Sequence, residues 1–304
     1  MVSEPVVTVL AMLAALCVGV APATAAPGDP VISTRTSVAG DPGSVIKPFS
    51  EAVIDGVGTM EGVTLRITKN LSPAVDRMGL DGSHPGITAT YDTTTGLYRL
   101  RGTATIADYQ SALRDVTYTQ TTATEGTRDF TVIAGTAIYL PLTNNLYEYV
   151  PTSSAITWTD ARAASLARTI GPYSGHLANL TQQAENDVAV IELQGNTWIG
   201  AWDLGTEGRW EWADGPEAGL HFYQGNGSGS AVNGEYNNWA SGEPNNVGSL
   251  GEDYAHMFQG NGTWNDYPNS LSVRGYLVEY EVTDIGRVAS LVRLLVAVDS
   301  DEDG

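Results

Sequence analysis

The stretch Glu243-Pro244-Asn245-Asn246, followed by Gly251-Glu252-Asp253 and Trp264-Asn265-Asp266, gathers two Glu, two Asp and three Asn within about two dozen residues. The segments that carry them are rich in Gly, Pro and Asn and read as loops. Carboxylate and amide oxygens are the ligands of a hard cation, and no thiolate or imidazole stands among these residues. Magnesium demands tight octahedral geometry and keeps its waters, so a crowd of protein oxygens favours calcium. The loop from Asp214 to Tyr254 is long for a compact domain, which fits a segment that is functional or ordered by a metal.

Working outward, the neighbouring sequence has its own order. Trp158 stands three residues before Ala161, then come Trp198-Ile199-Gly200, Trp210 and Trp212 before Asp214-Gly215, Tyr236 to Trp239, and Gly275-Tyr276-Leu277-Val278-Glu279-Tyr280. All seven Trp lie between Trp158 and Trp264, a composition shift that marks a distinct second domain. Thr157 with Asp160 forms a capping box and predicts a helix to about Arg168. Thr181 is expected to cap another, with Ala184, Val188 and Ile191 on one face and Gly195 at its end. Short strands and long loops follow from Thr197, which gives an α+β domain.

Taken in order, these motifs and the acidic loop resemble the C-type lectin-like domain over residues 137–282, about half of the chain. The resemblance implies two helices, a long calcium-binding loop, and a main calcium held by Glu243, Asn245, Glu252, Asn265 and Asp266. It implies a cis bond before Pro244. The residues matching a second calcium position are Asp203, Glu207, Asn246, Glu252 and Asp253, with Asp203 and Glu207 equally readable as surface-loop acids. A vicinal diol can give one lone pair of each hydroxyl to calcium, accept from an amide and donate to a carboxylate. That chemistry calls for one acid and one amide beside each hydroxyl, and Glu243 with Asn245 and Glu252 with Asn265 are two such pairs. By resemblance, the Glu-Pro-Asn order implies equatorial 3- and 4-hydroxyls, as in mannose, glucose, N-acetylglucosamine or fucose.

The chain also departs from that family. Ser165 and Val278 stand where one disulfide pair would be, and Tyr254 replaces a further cysteine. The loop between Asn245 and Glu252 is one residue longer than in the mannose-type pattern. Trp198, Trp210 and Trp212 read as core; Trp239 and Trp264 read as core with sugar stacking as the alternative. Tyr223 and Tyr267 are read as exposed candidates for sugar contact. His84, His176, His221 and His256 are scattered without metal spacing and read as structural or solvent-facing.

Residues 26–136 contain no Trp and alternate apolar and polar positions between turns, as at Val63, Leu65 and Ile67 or Phe130 and Val132. An antiparallel all-β sandwich is expected there. The segment from Thr103 to Tyr118 resembles the cadherin-like modules of bacterial surface proteins, which implies a stalk or spacer. Residues 1–25, with an apolar run from Val6 to Val20 and Ala23-Thr24-Ala25 after it, read as a secretory signal peptide. The single cysteine, Cys17, lies in that run. Residues 283–304 read as an acidic tail or the start of a further segment, Asp299, Asp301 and Asp303 matching half of a calcium loop.

A net charge of −20 disfavours nucleic acid, which rewards clustered Lys and Arg. The motifs of nucleophilic hydrolases, zinc proteases and phosphate loops are absent from the sequence, so an enzyme is not expected. The expectation is therefore a secreted or surface calcium-dependent lectin. Its partner is a glycan or glycoprotein, the mature chain has no transmembrane segment, and it is displayed in several copies. The alternative is a calcium-stabilised protein-binding or structural adhesion module.

Overall fold

The structure, a computed structural model, describes residues 30–249, 251–269 and 273–297. The expected signal peptide and the Asp299, Asp301 and Asp303 series lie outside these residues. The first part of the chain runs through β1 (Val31–Ser33), β2 (Ser37–Gly40), β3 (Val53–Asp55), β4 (Thr59–Lys69), β5 (Asp76–Leu80), β6 (Thr88–Asp92) and β7 (Leu97–Thr105). Helix α1 (Ile106–Arg114), β8 (Val116–Gln120) and β9 (Gly126–Ala134) follow. Alternation works as read: Val63, Leu65 and Ile67 of β4 are buried with Leu100, Phe130 and Val132 of its neighbours. The helix was not anticipated, because the segment reads as strand. Its signal is the Thr105 and Asp108 capping box, in which each side chain bonds the other's backbone N–H. Ile106, Tyr109, Ala112 and Leu113 then fall on one buried face.

The second part contains β10 (Ile138–Leu140), β11 (Asn145–Ile156), α2 (Trp158–Leu166), β12 (Thr169–Ile170), β13 (Tyr173–Leu177) and α3 (Gln183–Glu192). After them come β14 (Thr197–Trp202), β15 (Arg209–Trp212), β16 (His221–Gln224), β17 (Ser230–Ala231), β18 (Tyr254–Met257), β19 (Trp264–Tyr267) and β20 (Val273–Glu281). β11 and β20 pair antiparallel from Asn145↔Glu281 to Pro151↔Gly275, so the two ends of this part lie side by side. β14 joins β20 in parallel and carries β15 and β18, and the long loop leaves and returns between those strands. Thr157 caps α2 by accepting from the Asp160 N–H, half of the expected capping box, while the Asp160 carboxylate accepts from the Thr157 hydroxyl. Gln182 occupies the cap position of α3 without a side-chain bond, while Thr181 donates from its N–H and hydroxyl to Glu185. Leu193, not Gly195, ends that helix.

Three of the buried Trp side chains have satisfied N–H groups, whereas Trp210 Nε1 and Trp239 Nε1 are buried without a partner. Trp158 donates to Ile199 O, Trp198 to Ile156 O, and Trp264 to Asn186 Oδ1, each at 2.8 Å. Trp198, Trp210 and Trp212 are core residues, as expected, and so is Trp264. Gly200 is required by close approach: a Cβ there would lie 2.4 Å from Asn179 Oδ1 and 2.7 Å from Leu177 O.

The segment read as a tail behaves differently from that expectation. After a short 3-10 turn at Ile285–Arg287, β21 (Ala289–Val296) returns to the first part. It pairs antiparallel with β9 over its whole length and parallel with β2, which gives the order β2-β21-β9-β4-β7-β6 in that sheet. Its alternating Val292, Leu294 and Val296 enter the first core. The two parts also share side chains. Leu97 of β7 is buried in the second core, and Glu192 of α3 pairs with Arg99 at 2.6 Å and Arg101 at 3.2 Å. Among the described residues, no helix is long and apolar enough to cross a membrane.

Candidate metal and ligand site

The loop after β17 and the strands β18 and β19 bring the expected oxygen donors together. Asp266, buried on β19, sits in register with Ala255, and Asn265 with His256. The peptide between Glu243 and Pro244 is cis, as the resemblance implied. Just beyond it the loop folds over Asp266, whose carboxylate accepts from Asn245 N at 2.9 Å and Asn246 N at 2.7 Å. Val247 N donates to Glu252 Oε2 at 2.7 Å and to Asn245 Oδ1 at 3.0 Å. Asn246 Oδ1 takes the Glu252 N–H at 3.0 Å. Behind the loop, Asn265 Nδ2 lies 3.2 Å from His256 Nε2 and also donates to Asp266 O.

Charge is unbalanced here. None of the ion pairs among the described residues involves Glu243, Glu252, Asp266, Asp203, Glu207 or Asp253. Oε2 of Glu243 is buried without a hydrogen-bond partner. Burial, with Asp266 and Glu252 alongside, pushes the Glu243 carboxyl up to about 7. Burial also raises Glu252, against the Val247 N–H that lowers it. Asp203 at the end of β14 repeats the pattern. Its Oδ2 accepts from Gly208 N at 2.7 Å, its Oδ1 is buried and unpartnered, and burial lifts it to about 7 with Glu207, Asp253 and Asp266 adding to the rise. Glu207 is raised by burial and by Asp253 and Asp266. Two adjoining groups therefore hold more negative charge than their hydrogen bonds compensate.

No protein-family model matches this sequence. A stretch of halomucin from Haloquadratum walsbyi is 36% identical over 260 residues, 82% of this chain, and the chain spans 3% of halomucin's length. The C-type carbohydrate-recognition domain of cow CD23, solved in the presence of a GlcNAc2Man3 oligosaccharide, is 27% identical. It matches over 49% of this chain and 95% of its own, with a TM-score of 0.37. A perlucin-like protein of Mytilus galloprovincialis is 30% identical over 140 residues, which are 44% of this chain and 74% of that protein. The chain belongs to the C-type lectin-like family.

Three findings at this lectin-like site bear on what its sequence led one to expect. Tyr223 is buried, with its hydroxyl donating to Asn226 O, and is not a free sugar-contact residue, while Tyr267 is half-buried and packs edge-on against His256. His256, set aside as structural, stands directly behind Asn265, and burial drives it down to about 4, so near neutral pH it is an uncharged ring. A third finding concerns the trio of Glu243, Glu252 and Asp266. Among the described residues, the three do not all bring a carboxyl oxygen within 4.8 Å of the other two, and only His176, Glu279 and Glu281 form such a group. Nothing in the spacing of His176 along the chain announces this, because its partners lie a hundred residues away across a strand pair.

The raised carboxyls set a pH dependence. Between the ordinary carboxylate range and about 7, the folded protein holds protons on Asp203 and Glu243 that the unfolded chain has lost. Stability of the cation-free protein is therefore expected to fall as pH rises from about 5 to 8. Asp203, almost fully buried, carries most of this, on the order of 4 kcal/mol as an upper figure, and screening reduces the share of Glu243. Thermal melts in EDTA across that range check it; the slope should become shallower in Asp203→Asn with Glu243→Gln, and the part that remains is carried by Glu279, which burial lifts to about 8.

Proposed function

We propose that residues 137–282 form a non-enzymatic, calcium-dependent carbohydrate-binding module. The observation that carries this reading is the unpartnered, buried Oε2 of Glu243 in a cluster of oxygen donors without a basic partner. Such a donor set fits a hard dication and does not fit a soft metal. Glu243, Asn245, Glu252, Asn265 and Asp266 would hold one calcium. Asp203, Glu207, Asn246, Glu252 and Asp253 would hold a second, a reading supported by the unpartnered Oδ1 of Asp203. When bound, calcium supplies a positive centre for the oxygens of a vicinal diol.

The chain's own residues then do the recognising. Glu243 and Glu252 accept hydroxyl protons, and Asn245 donates an N–H to a hydroxyl oxygen, while both N–H groups of Asn265 are taken by His256 Nε2 and Asp266 O. His256 and the Asp266 carbonyl, both facing the Asn265 amide nitrogen, turn that side chain's oxygen the other way. The Glu-Pro-Asn order supports a mannose-, glucose- or fucose-type ligand. In this reading the protein is exported and displayed at a surface, and the first part, with its cadherin-like segment, is a spacer. Multiple copies would compensate for a shallow site by avidity.

Exchanging Glu243→Gln with Asn245→Asp reverses which side of the diol donates and which accepts, while leaving the oxygens for calcium. The double variant is expected to lose at least tenfold in affinity for mannose-type sugars, gain for galactose-type sugars, and keep its calcium-linked rise in Tm. Glycan-array binding and thermal melts read both arms. An unchanged sugar ranking with calcium retained would remove these two residues as the specificity pair. Calcium retained with no sugar bound by the wild type would favour the adhesion module that binds protein.

A further inference from the structure

The face of the second sheet opposite in character to the acidic loop carries one imidazole among carboxylates. His176 of β13 pairs in register with Glu279 of β20, and Glu281 lies two residues further along β20 on the same face. One ligand atom from each lies within 4.8 Å of the other two. His176 Nδ1 is 2.8 Å from Leu177 O, so that nitrogen carries the hydrogen and Nε2 faces the carboxylates, 3.3 Å from Glu281 Oε1. Glu279 is fixed just as firmly. Its Oε1 accepts from Asn145 Nδ2 at 2.8 Å and Tyr147 OH at 2.7 Å, and its Oε2 from Asn179 N at 2.9 Å.

This is the pattern of a metal ligand set held by outer partners: an imidazole whose second nitrogen bonds a backbone carbonyl, and a carboxylate oriented by neutral donors. The loop at Gly215 closes over the ring. A Cβ there would lie 2.6 Å from His176 Cε1 and Nε2, at a φ of +74°, so only glycine lets the backbone lie so close. That loop is anchored by Arg162, which binds both oxygens of Asp214 at 2.6 and 2.7 Å. Glu281, with its side chain 34% exposed, leaves an entry from solvent.

We propose that His176, Glu279 and Glu281 form a binding site for a zinc-class divalent cation that clamps β13 to β20. A neutral imidazole and two carboxylates carry a charge of −2, which a dication cancels. Burial lifts Glu279 to about 8, as expected of a carboxylate short of positive charge. One nitrogen with carboxylate oxygens selects zinc, cobalt or nickel over calcium, which takes oxygen alone. The clamp also has a structural use. Residues 30–297 contain no cysteine, and Ser165 of α2 and Val278 of β20 are both buried without a covalent link between these elements.

The test is calorimetric titration of the full, metal-stripped chain with zinc chloride in saturating calcium, with Tm followed in parallel. One zinc per chain is expected, with a rise in Tm, and at least tenfold weaker binding in His176→Gln. Glu281→Gln, at the exposed corner, keeps the measurement open if His176→Gln does not fold, and it too should weaken zinc at least tenfold. Cobalt(II) in place of zinc should give visible absorption bands that the variants lose. The Glu243→Gln, Asn245→Asp variant should bind zinc as the wild type does, so failure here and failure of the lectin reading are separable. No zinc uptake by the wild type, or unchanged affinity in both single variants, overturns the site and leaves an imidazolium paired with Glu281.

Discussion

Trp264→Ala is expected to lower the stability of the lectin-like part by about 3–5 kcal/mol and to abolish its response to calcium. The ring is fully buried and packs edge-on against Trp212, Phe222, Tyr236 and Trp239, with centroids 5.8 to 6.1 Å away. Truncation opens a cavity at the centre of that aromatic cluster. It also strands the buried Asn186 Oδ1, which accepts the indole N–H at 2.8 Å, a further cost of about 1–3 kcal/mol. The effect reaches the site because Asn265 and Asp266 are the next two residues on β19, and Trp264 N and O bond Asn238 O and Ala240 N of the loop leading to Glu243. Urea titrations with and without calcium measure both consequences. Trp264→Phe should recover most of the packing and leave only the loss of the hydrogen bond; equal stability of Ala and Phe variants would contradict this account of the cluster.

A chain ending at Val288 is expected to lose the fold of the first part while keeping most of the second. Without β21, the buried Val292, Leu294 and Val296 leave the core, worth about 5–9 kcal/mol together. β9 becomes an edge and β2 loses its pairing. A loss of that size is comparable to the whole stability of a small domain. All seven Trp lie in residues 158–264, so tryptophan fluorescence reports on the second part alone. Amide hydrogen exchange in β4 and β7 reports on the first. Protection there should collapse in the shortened chain while the fluorescence transition persists. Unchanged protection would mean that β21 is dispensable.

Much of the lectin-like part is legible in the sequence because its signals are local. The Trp198-Ile199-Gly200 triplet, Thr157 at its cap and the apolar run Tyr276-Leu277-Val278 of β20 each dictate their own surroundings. β21 was not legible in the same way. Its alternation reads as a strand, but its partners are β9, some 160 residues earlier, and β2, some 250 residues earlier, and no local feature names them. Helix α1 was hidden for a different reason: Thr105, Asp108 and the Ile106–Tyr109–Leu113 spacing are present, but they sit inside a run of strands that sets the expectation. At the site, residue types and order pointed to the oxygens, and the hydrogen bonds of Asp266 to the loop amides required the fold. His176, Glu279 and Glu281 become a group only once the register of β13 against β20 is known.

The two raised acids and the unpartnered oxygens of Glu243 and Asp203 are what the two proposed calcium sites would account for, and the lectin reading rests on them. Calorimetric titration of the full chain with methyl α-mannoside, in calcium and again in EGTA, tests that reading most directly. In calcium, a site that grips one diol at an open loop is expected to bind with a dissociation constant near a millimolar, about −4 kcal/mol, and in EGTA to give no heat. Equal binding in both buffers, or no heat in calcium with mannose, glucose, N-acetylglucosamine or fucose, would contradict it.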